Sequence, residues 1–202
     1  NVSYIHKDRN IVGDFNGSNS EINVGNIDLV NKSFSFSVWI ANTRTGSGES
    51  WFLGQGTNSL NAGLHIGKMY NGKIRLGFYG GNDVDSTTAV ATNGTFEHWV
   101  FTYNSSTKLQ KIYLAGILNN SRTATGNYIG TGDLYIGKNT LGSPYYLGQM
   151  GNVICWDREI TEVEVKYINR QGLGYNPLTP NKILPSYFYT TPLFNSHFSR
   201  RK

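Results

Sequence analysis

KSFSFSVWI, residues 32–40, alternates without a break. Phe34, Phe36, Val38 and Ile40 fall on one side of an extended chain, and Ser33, Ser35, Ser37 and Trp39 on the other. A period of two marks a strand with one face in a core. The same period recurs outward from this stretch. GLHIGKMYNGKIRLGFYGG (63–81) predicts a hairpin in which Leu64 and Ile66 lie across from Ile74, Leu76 and Phe78. Its Asn71-Gly72 pair predicts a type I′ turn. EHWVFTYN (97–104) sets Trp99, Phe101 and Tyr103 on one side, KIYLAGIL (111–118) predicts two strands tightened around Ala115-Gly116, and DLYIGK and YYLGQMGNVICW add further strands. One stretch alone predicts a helix. Thr161 with Glu164 three residues on forms a capping box, and Val163, Tyr167 and Ile168 precede Gly172. Many short strands with one late helix predict an all-β fold, a two-sheet antiparallel jelly-roll β-sandwich with one short C-terminal helix.

The sandwich is expected over residues 1–174, and residues 175–202 form a separate arm. GYNPLTPNKILPSYFYTTPLFNSHFSRRK carries Pro177, Pro180, Pro185 and Pro192 and lacks a regular apolar period. Proline removes backbone donors, which rules out a central strand or a helix there. The arm is nevertheless rich in apolar groups, and Leu184, Tyr187, Phe188, Tyr189, Phe194 and Phe198, with Arg200 and Arg201, are its expected partner-binding residues. Docking on a partner subunit is favoured over docking on its own sandwich.

Charge divides a little earlier in the chain. Residues 1–165 hold 12 Lys and Arg against 13 Asp and Glu, whereas residues 166–202 hold six basic residues and no acidic one. Four of the six, Lys182, Arg200, Arg201 and Lys202, lie in the arm, so most of the overall +5 belongs to it and the sandwich is close to neutral. Three terminal charges, Arg200-Arg201-Lys202, give little affinity for nucleic acid at physiological salt, so a nucleic-acid partner is not expected. No apolar run approaches the ~20 residues of a membrane span, and NVSYIHKDRN lacks the apolar centre of a secretory leader. Cys155 is the one cysteine in the chain and sits in the apolar strand NVICW, where it reads as a small buried hydrophobe. Triplets suited to N-glycosylation occur at Asn1, Asn16, Asn31, Asn93, Asn104 and Asn119.

The segments VGDFNGSNSEINVGN (12–26), SFSFSVWI (33–40), WFLGQG (51–56), GTFEHWVFTYN (94–104) with KIYLAG (111–116), and LGQMGNVICWDREITEVEV (147–165) stand in the order found in a laminin-G-like domain. Over residues 10–170 the chain resembles the concanavalin A-like lectin/glucanase superfamily, which also takes in the pentraxins. The resemblance implies binding of carbohydrate or protein and, in some members, calcium. It also implies where catalysis would lie, since retaining glucanases of the group place two Glu around an Asp on one strand. That chemistry needs carboxyls about 5–5.5 Å apart. Here Asp157, Glu159, Glu162 and Glu164 are the one crowded set, and Glu162 and Glu164 follow the Thr161 cap, where negative charge suits the helix dipole. No catalytic residue is assigned and the chain is expected not to be an enzyme.

Laminin-G-like relatives often hold calcium with an Asp in an early FDG turn and another opening the last strand. This sequence has Asn16 and Gly151-Asn152 at those places. No cofactor is expected. The loop GGNDVDSTT supplies the one alternative, calcium on Asn82, Asp83, Asp85 and Ser86. Sugar sites need flat rings with nearby amides, and the candidates are Trp39, Trp51, Trp156, Tyr70, Asn71, Tyr79, Tyr145 and Tyr146. The favoured function is a non-catalytic binding or structural module of a larger assembly, a virion or cell-surface particle, joined to protein subunits by the arm. A free-standing lectin-like domain is the alternative, and a glycoside hydrolase is the remote one.

Overall fold

The computed structural model describes residues 2–7, 10–140, 144–176 and the backbone of 194–196. Within these the elements run β1 (Ser3–Lys7), β2 (Asn10–Asn16), β3 (Ile22–Asn26), β4 (Phe34–Asn42), β5 (Ser50–Gly56), β6 (Gly63–Lys68), β7 (Lys73–Gly77), β8 (Asp83–Ala89), β9 (Glu97–Asn104), β10 (Leu109–Leu114), β11 (Ile117–Thr123), β12 (Asp133–Ile136), β13 (Leu147–Trp156), α1 (Glu162–Gln171) and β14 (Phe194–Ser196). One antiparallel sheet has the order β1-β2-β13-β4-β9-β10-β11, with β14 also on β13. The other has the order β3-β12-β5-β6-β7-β8. The two-sheet sandwich with one short helix is the architecture that the alternation predicts.

The core between the sheets follows from phase. Phe34, Phe36, Val38 and Ile40 of β4 are fully buried beside Trp99, Phe101 and Tyr103 of β9, and face Phe52, Leu64, Ile66, Leu76 and Phe78 from the second sheet. Phe78 meets Tyr103 edge to face at 4.8 Å between ring centroids. The serine face of β4 is also buried, because α1 lies across it. Ser35 Oγ donates to the Arg158 carbonyl at 2.7 Å and accepts the Ile160 N–H at 3.0 Å. Val100, Tyr113, Ile154 and Trp156 pack under Ile160, Val165 and Ile168 as a second cluster.

Helix α1 begins where the capping box requires. Glu164 N–H donates to Thr161 Oγ1 while the Glu164 carboxylate receives the Thr161 N–H at 2.7 Å. One turn departs from expectation. At Asn71-Gly72 a type I′ turn needs positive φ at both residues, but Gly72 alone has it (81°) and its N–H bonds to the Met69 carbonyl at 2.9 Å. The bend thus spans Met69–Gly72, with a left-handed glycine closing it. The paired positive φ values occur instead at Ala115 (50°) and Gly116 (83°).

Strands β8 and β11, at the edges of different sheets, are laced together. Thr87 N–H donates to Asn119 Oδ1 at 2.7 Å, Asn120 Nδ2 to the Asp85 carbonyl at 2.8 Å, and Arg122 Nη1 to the Asp83 carbonyl at 2.7 Å. On the far side, β2 pairs β13 at Leu147–Met150, and β14 continues that edge at Val153–Cys155. The backbone of Phe194–Ser196 is thus seated on its own sandwich. The arm residues Leu184, Tyr187, Phe188, Tyr189, Phe198, Arg200 and Arg201 and the side chain of Phe194 lie outside the described residues.

Candidate functional site

The outward face of the second sheet gathers charge where the sequence shows it only in pieces. In KIRLG, Ile74 and Leu76 enter the core, so Lys73, Arg75 and Gly77 face out. In β8, Val84 enters the core and leaves Asp83 and Asp85 on the outer side, in register with Gly77 and Arg75. Arg75 spans both acids: Nε to Asp85 Oδ1 at 2.6 Å, Nη2 to Asp85 Oδ2 at 2.9 Å, and Nη1 to Asp83 Oδ2 at 3.0 Å. The bidentate pair matches the planar fork of guanidinium to carboxylate. The Asp85 bond, ahead of the cost of burial, raises the Arg75 pKa. His65 Nδ1 lies 2.7 Å from the Gly63 carbonyl, and its Nε2 is 3.5 Å from Asp83 Oδ1. Burial pushes the Asp83 pKa up, but His65, Arg75 and the Tyr79 N–H outweigh it and hold the carboxyl below its ordinary value. Gly77 makes this approach possible, because a Cβ there would fall on His65 Nε2 and Asp83 Oδ1.

Beside this network runs an open groove of about 520 Å³, lined by Lys73, Arg75, Gly81, Asp83 and Asp85 and by Asn120, Ser121 and Arg122 from β11. Exposed rings stand at both ends of its floor strand β7. Tyr70, 63% exposed, precedes it in the turn with exposed Asn71, and Tyr79, 39% exposed, follows it. Tyr79 holds a left-handed φ of 69°, a costly state for a bulky residue that persists only when neighbours impose it. Those neighbours are the Asn61 N–H on the Tyr79 carbonyl, the Asp83 carboxylate on the Tyr79 N–H, and buried Asn82, which bonds Asn61 and Thr125.

Three of the seven aromatic candidates are removed from ligand reach. Tyr146 is a core residue, fully buried against Phe15 and Phe52. Trp156 lies beneath α1, and Trp51 is 5% exposed with its ring edge-on to His65. For Trp156, the helix covers a strand face that alternation alone leaves open. Trp39 is partly exposed on the opposite sheet, stacked on His98 at 4.8 Å. Tyr145 gives its carbonyl to Arg44 and has Lys138 Nζ 5.9 Å from its ring. Tyr70, Asn71 and Tyr79 are therefore the candidates that stay exposed at the two ends of β7, beside the groove but outside its lining.

The proposed calcium set does not converge. Asn82 and Ser86 are buried in hydrogen bonds to Asn61, Thr125, Ile74 and Thr88, while Asp83 and Asp85 are held by Arg75. Among the described residues no group of three or more His, Cys, Asp or Glu gathers around one point.

Three of the four crowded carboxylates are likewise engaged. Glu159 pairs with Lys111 at 2.7 Å and accepts from Asn104 at 2.8 Å, Glu162 pairs with Lys166 at 2.5 Å, and Glu164 accepts both Nη atoms of Arg158. Burial drives the Cys155 thiol pKa well up, as for an inert core residue.

Lys73, Arg75, His65, Asn120 and Arg122 were not singled out by the sequence. The alternation in KIRLG puts Lys73 and Arg75 on one face, but only the β8–β11 seam shows what stands beside them.

A family model described as the concanavalin A-like lectin/glucanases superfamily matches residues 16–166. No curated protein matches the chain in sequence. Among solved structures, domain 4 of AbnA, a GH43 extracellular arabinanase from Geobacillus stearothermophilus, in complex with arabinotriose, is similar. Its TM-score is 0.67 at 18% identity, over 84% of this chain and 81% of that one. The heptameric SAP-like pentraxin of Limulus polyphemus gives 0.59 at 12% identity, over 82% and 84%. The binding domain of Paraclostridial Mosquitocidal Protein 1 gives 0.63 at 17% identity, over 84% of this chain and 45% of that one.

Proposed function

The chain belongs to the concanavalin A-like lectin/glucanases superfamily, and we propose that within it the chain acts as a non-catalytic carbohydrate-binding module. The observation that carries the reading is the groove on the second sheet: polar along its length, of ordinary ligand-site volume, with an exposed tyrosine at each end of its floor strand. Sugars ask for this combination, because their CH faces stack on rings and their hydroxyls need fixed planar donors and acceptors. Binding of arabinotriose by the AbnA domain supports the same use of the fold.

A glycan array on the purified chain, repeated with Tyr70→Ala and Tyr79→Ala, tests the proposal. Both rings are exposed, so the variants keep the fold, and glycan signal falls in one or both. Signal untouched by either variant would move the site off this groove. The non-catalytic part rests on the engagement of Glu159 with Lys111 and Asn104. Hydrolysis of a β-glucan that disappears in Glu159→Gln would overturn it.

A second reading keeps the chain as a module of a virion or cell-surface particle, joined to protein subunits through residues 175–202. Its support is the basic, proline- and aromatic-rich composition of that arm. Particle size with and without residues 175–202 tests it: attachment through the arm predicts loss of assembly with glycan binding retained.

A further inference from the structure

We infer that the groove selects an acidic oligosaccharide, one bearing carboxylate or sulfate groups, with Arg122 and Lys73 as its two anion-binding residues. This rests on the carbohydrate-binding reading above and deepens it.

The argument is a count of which charges are already spent. Arg75 uses Nε, Nη1 and Nη2 on Asp83 and Asp85. Those bonds consume both Asp85 oxygens and Asp83 Oδ2, and Asp83 Oδ1 faces His65 Nε2. The charges at the centre of the groove are thus paired with one another, and the oxygen without a hydrogen bond, Asp83 Oδ1, is buried against His65 and does not face outward. Neutral-sugar recognition commonly leans on outward-facing carboxylate acceptors, and here they are taken.

What remains is positive. Arg122 is exposed and donates from Nη1 to the Asp83 backbone carbonyl. A neutral acceptor of that kind orients the guanidinium without cancelling its charge, and leaves Nε and Nη2 for a ligand. Lys73 is half-exposed at the other end of β7, and among the described residues no carboxylate forms an ion pair with it or with Arg122. Gly77, whose strand partner is Asp83, lies four residues from Lys73, so the backbone positions beside the two cations are offset by about 13 Å along β7 at roughly 3.3 Å per strand residue. A groove with a satisfied floor and a free cation at each end fits a chain of sugars carrying spaced anions. Guanidinium favours the planar, bidentate carboxylate at the Arg122 end, and the ammonium accepts either anion.

The experiment titrates the full chain with trigalacturonate, a sulfated oligosaccharide of similar length and neutral galactotriose, by calorimetry and amide NMR, at low and physiological salt. Arg122→Gln and Lys73→Gln are titrated alongside. The inference expects one or both acidic ligands to bind and shift groove amides, with galactotriose at least about tenfold weaker. Each variant loses about five- to tenfold, and added salt weakens the acidic ligands further. The contacts of Lys73 that close the bend are made by its backbone, so Lys73→Gln keeps the test valid if Arg122→Gln loosens the seam. Equal binding of neutral and acidic sugars in the groove overturns this inference and leaves the carbohydrate reading standing. Acidic binding that neither variant weakens overturns it as well. Failure of all three sugars to bind counts against both.

Discussion

Asn120 and Asp85 stand on edge strands of different sheets, and one bond joins them, from Asn120 Nδ2 to the Asp85 carbonyl at 2.8 Å. The contact closes one side of the sandwich, and it also lies under the groove, since Asp85 holds Arg75 through its side chain while its backbone is held from β11. Asn120→Ala leaves that carbonyl without its partner. The expected cost is about 1 kcal/mol, read by denaturant unfolding, with ligand affinity falling alongside it as the groove wall loosens. Unchanged affinity at reduced stability would separate the seam from the site.

Gly77 tests the packing of the charged network. Its φ is not left-handed, so the demand for glycine is steric: the space where a Cβ would sit is filled by His65 and Asp83. Gly77→Ala should cost about 1–3 kcal/mol by overpacking. It should also separate the His65–Asp83 pair, which the His65 imidazole resonances in NMR report directly.

His98 gives the fold an acid-sensitive point. Its ring is buried, with Nε2 2.8 Å from Ser37 Oγ and the Trp39 ring stacked on it. Burial lowers its pKa from 6.5 to about 4. The native state then binds fewer protons than the unfolded chain between these values, so stability is intact above about pH 6.5 and is lost as pH falls toward 4. The full loss is of the order of 3 kcal/mol. Unfolding curves at pH 7 and pH 4.5 should show it, and His98→Gln should flatten the difference.

The β13 edge carries a prediction about the terminus. Pairing with β2 ends at Met150, and Phe194–Ser196 take over at Val153–Cys155. Truncation after residue 176 bares that edge, and a bare edge recruits other strands. Amide exchange at Val153–Cys155 should accelerate, and light scattering should show association that rises with concentration. Exchange rates unchanged by truncation would mean that this pairing protects nothing.

Calcium should leave the protein as it is. Both Asp85 oxygens and Asp83 Oδ2 are bonded to Arg75, which no cation can displace without first breaking a bidentate pair. Added calcium or chelator is expected not to move the melting temperature. A rise with calcium that Asp83→Asn abolishes would contradict this.

The sandwich was legible in the sequence because its determinants are local. The unbroken alternation of residues 32–40 sets which side chains of β4 enter the core, and Thr161 with Glu164 starts α1 where the capping box says it must. Local pattern also puts Tyr70 beside the Asn71-Gly72 turn. It could not show that a helix would cover Ser35 and Trp156, since alternation describes one strand and not the layer above it. Nor could it show the groove: Lys73 and Arg75 acquire meaning only beside Asp83, Asp85 and Arg122, and that adjacency arises when β8 and β11, more than thirty residues apart in the chain, meet at the edges of two sheets. Strand phase is set residue by residue, whereas a site is set by which strands become neighbours, and only the folded chain decides that.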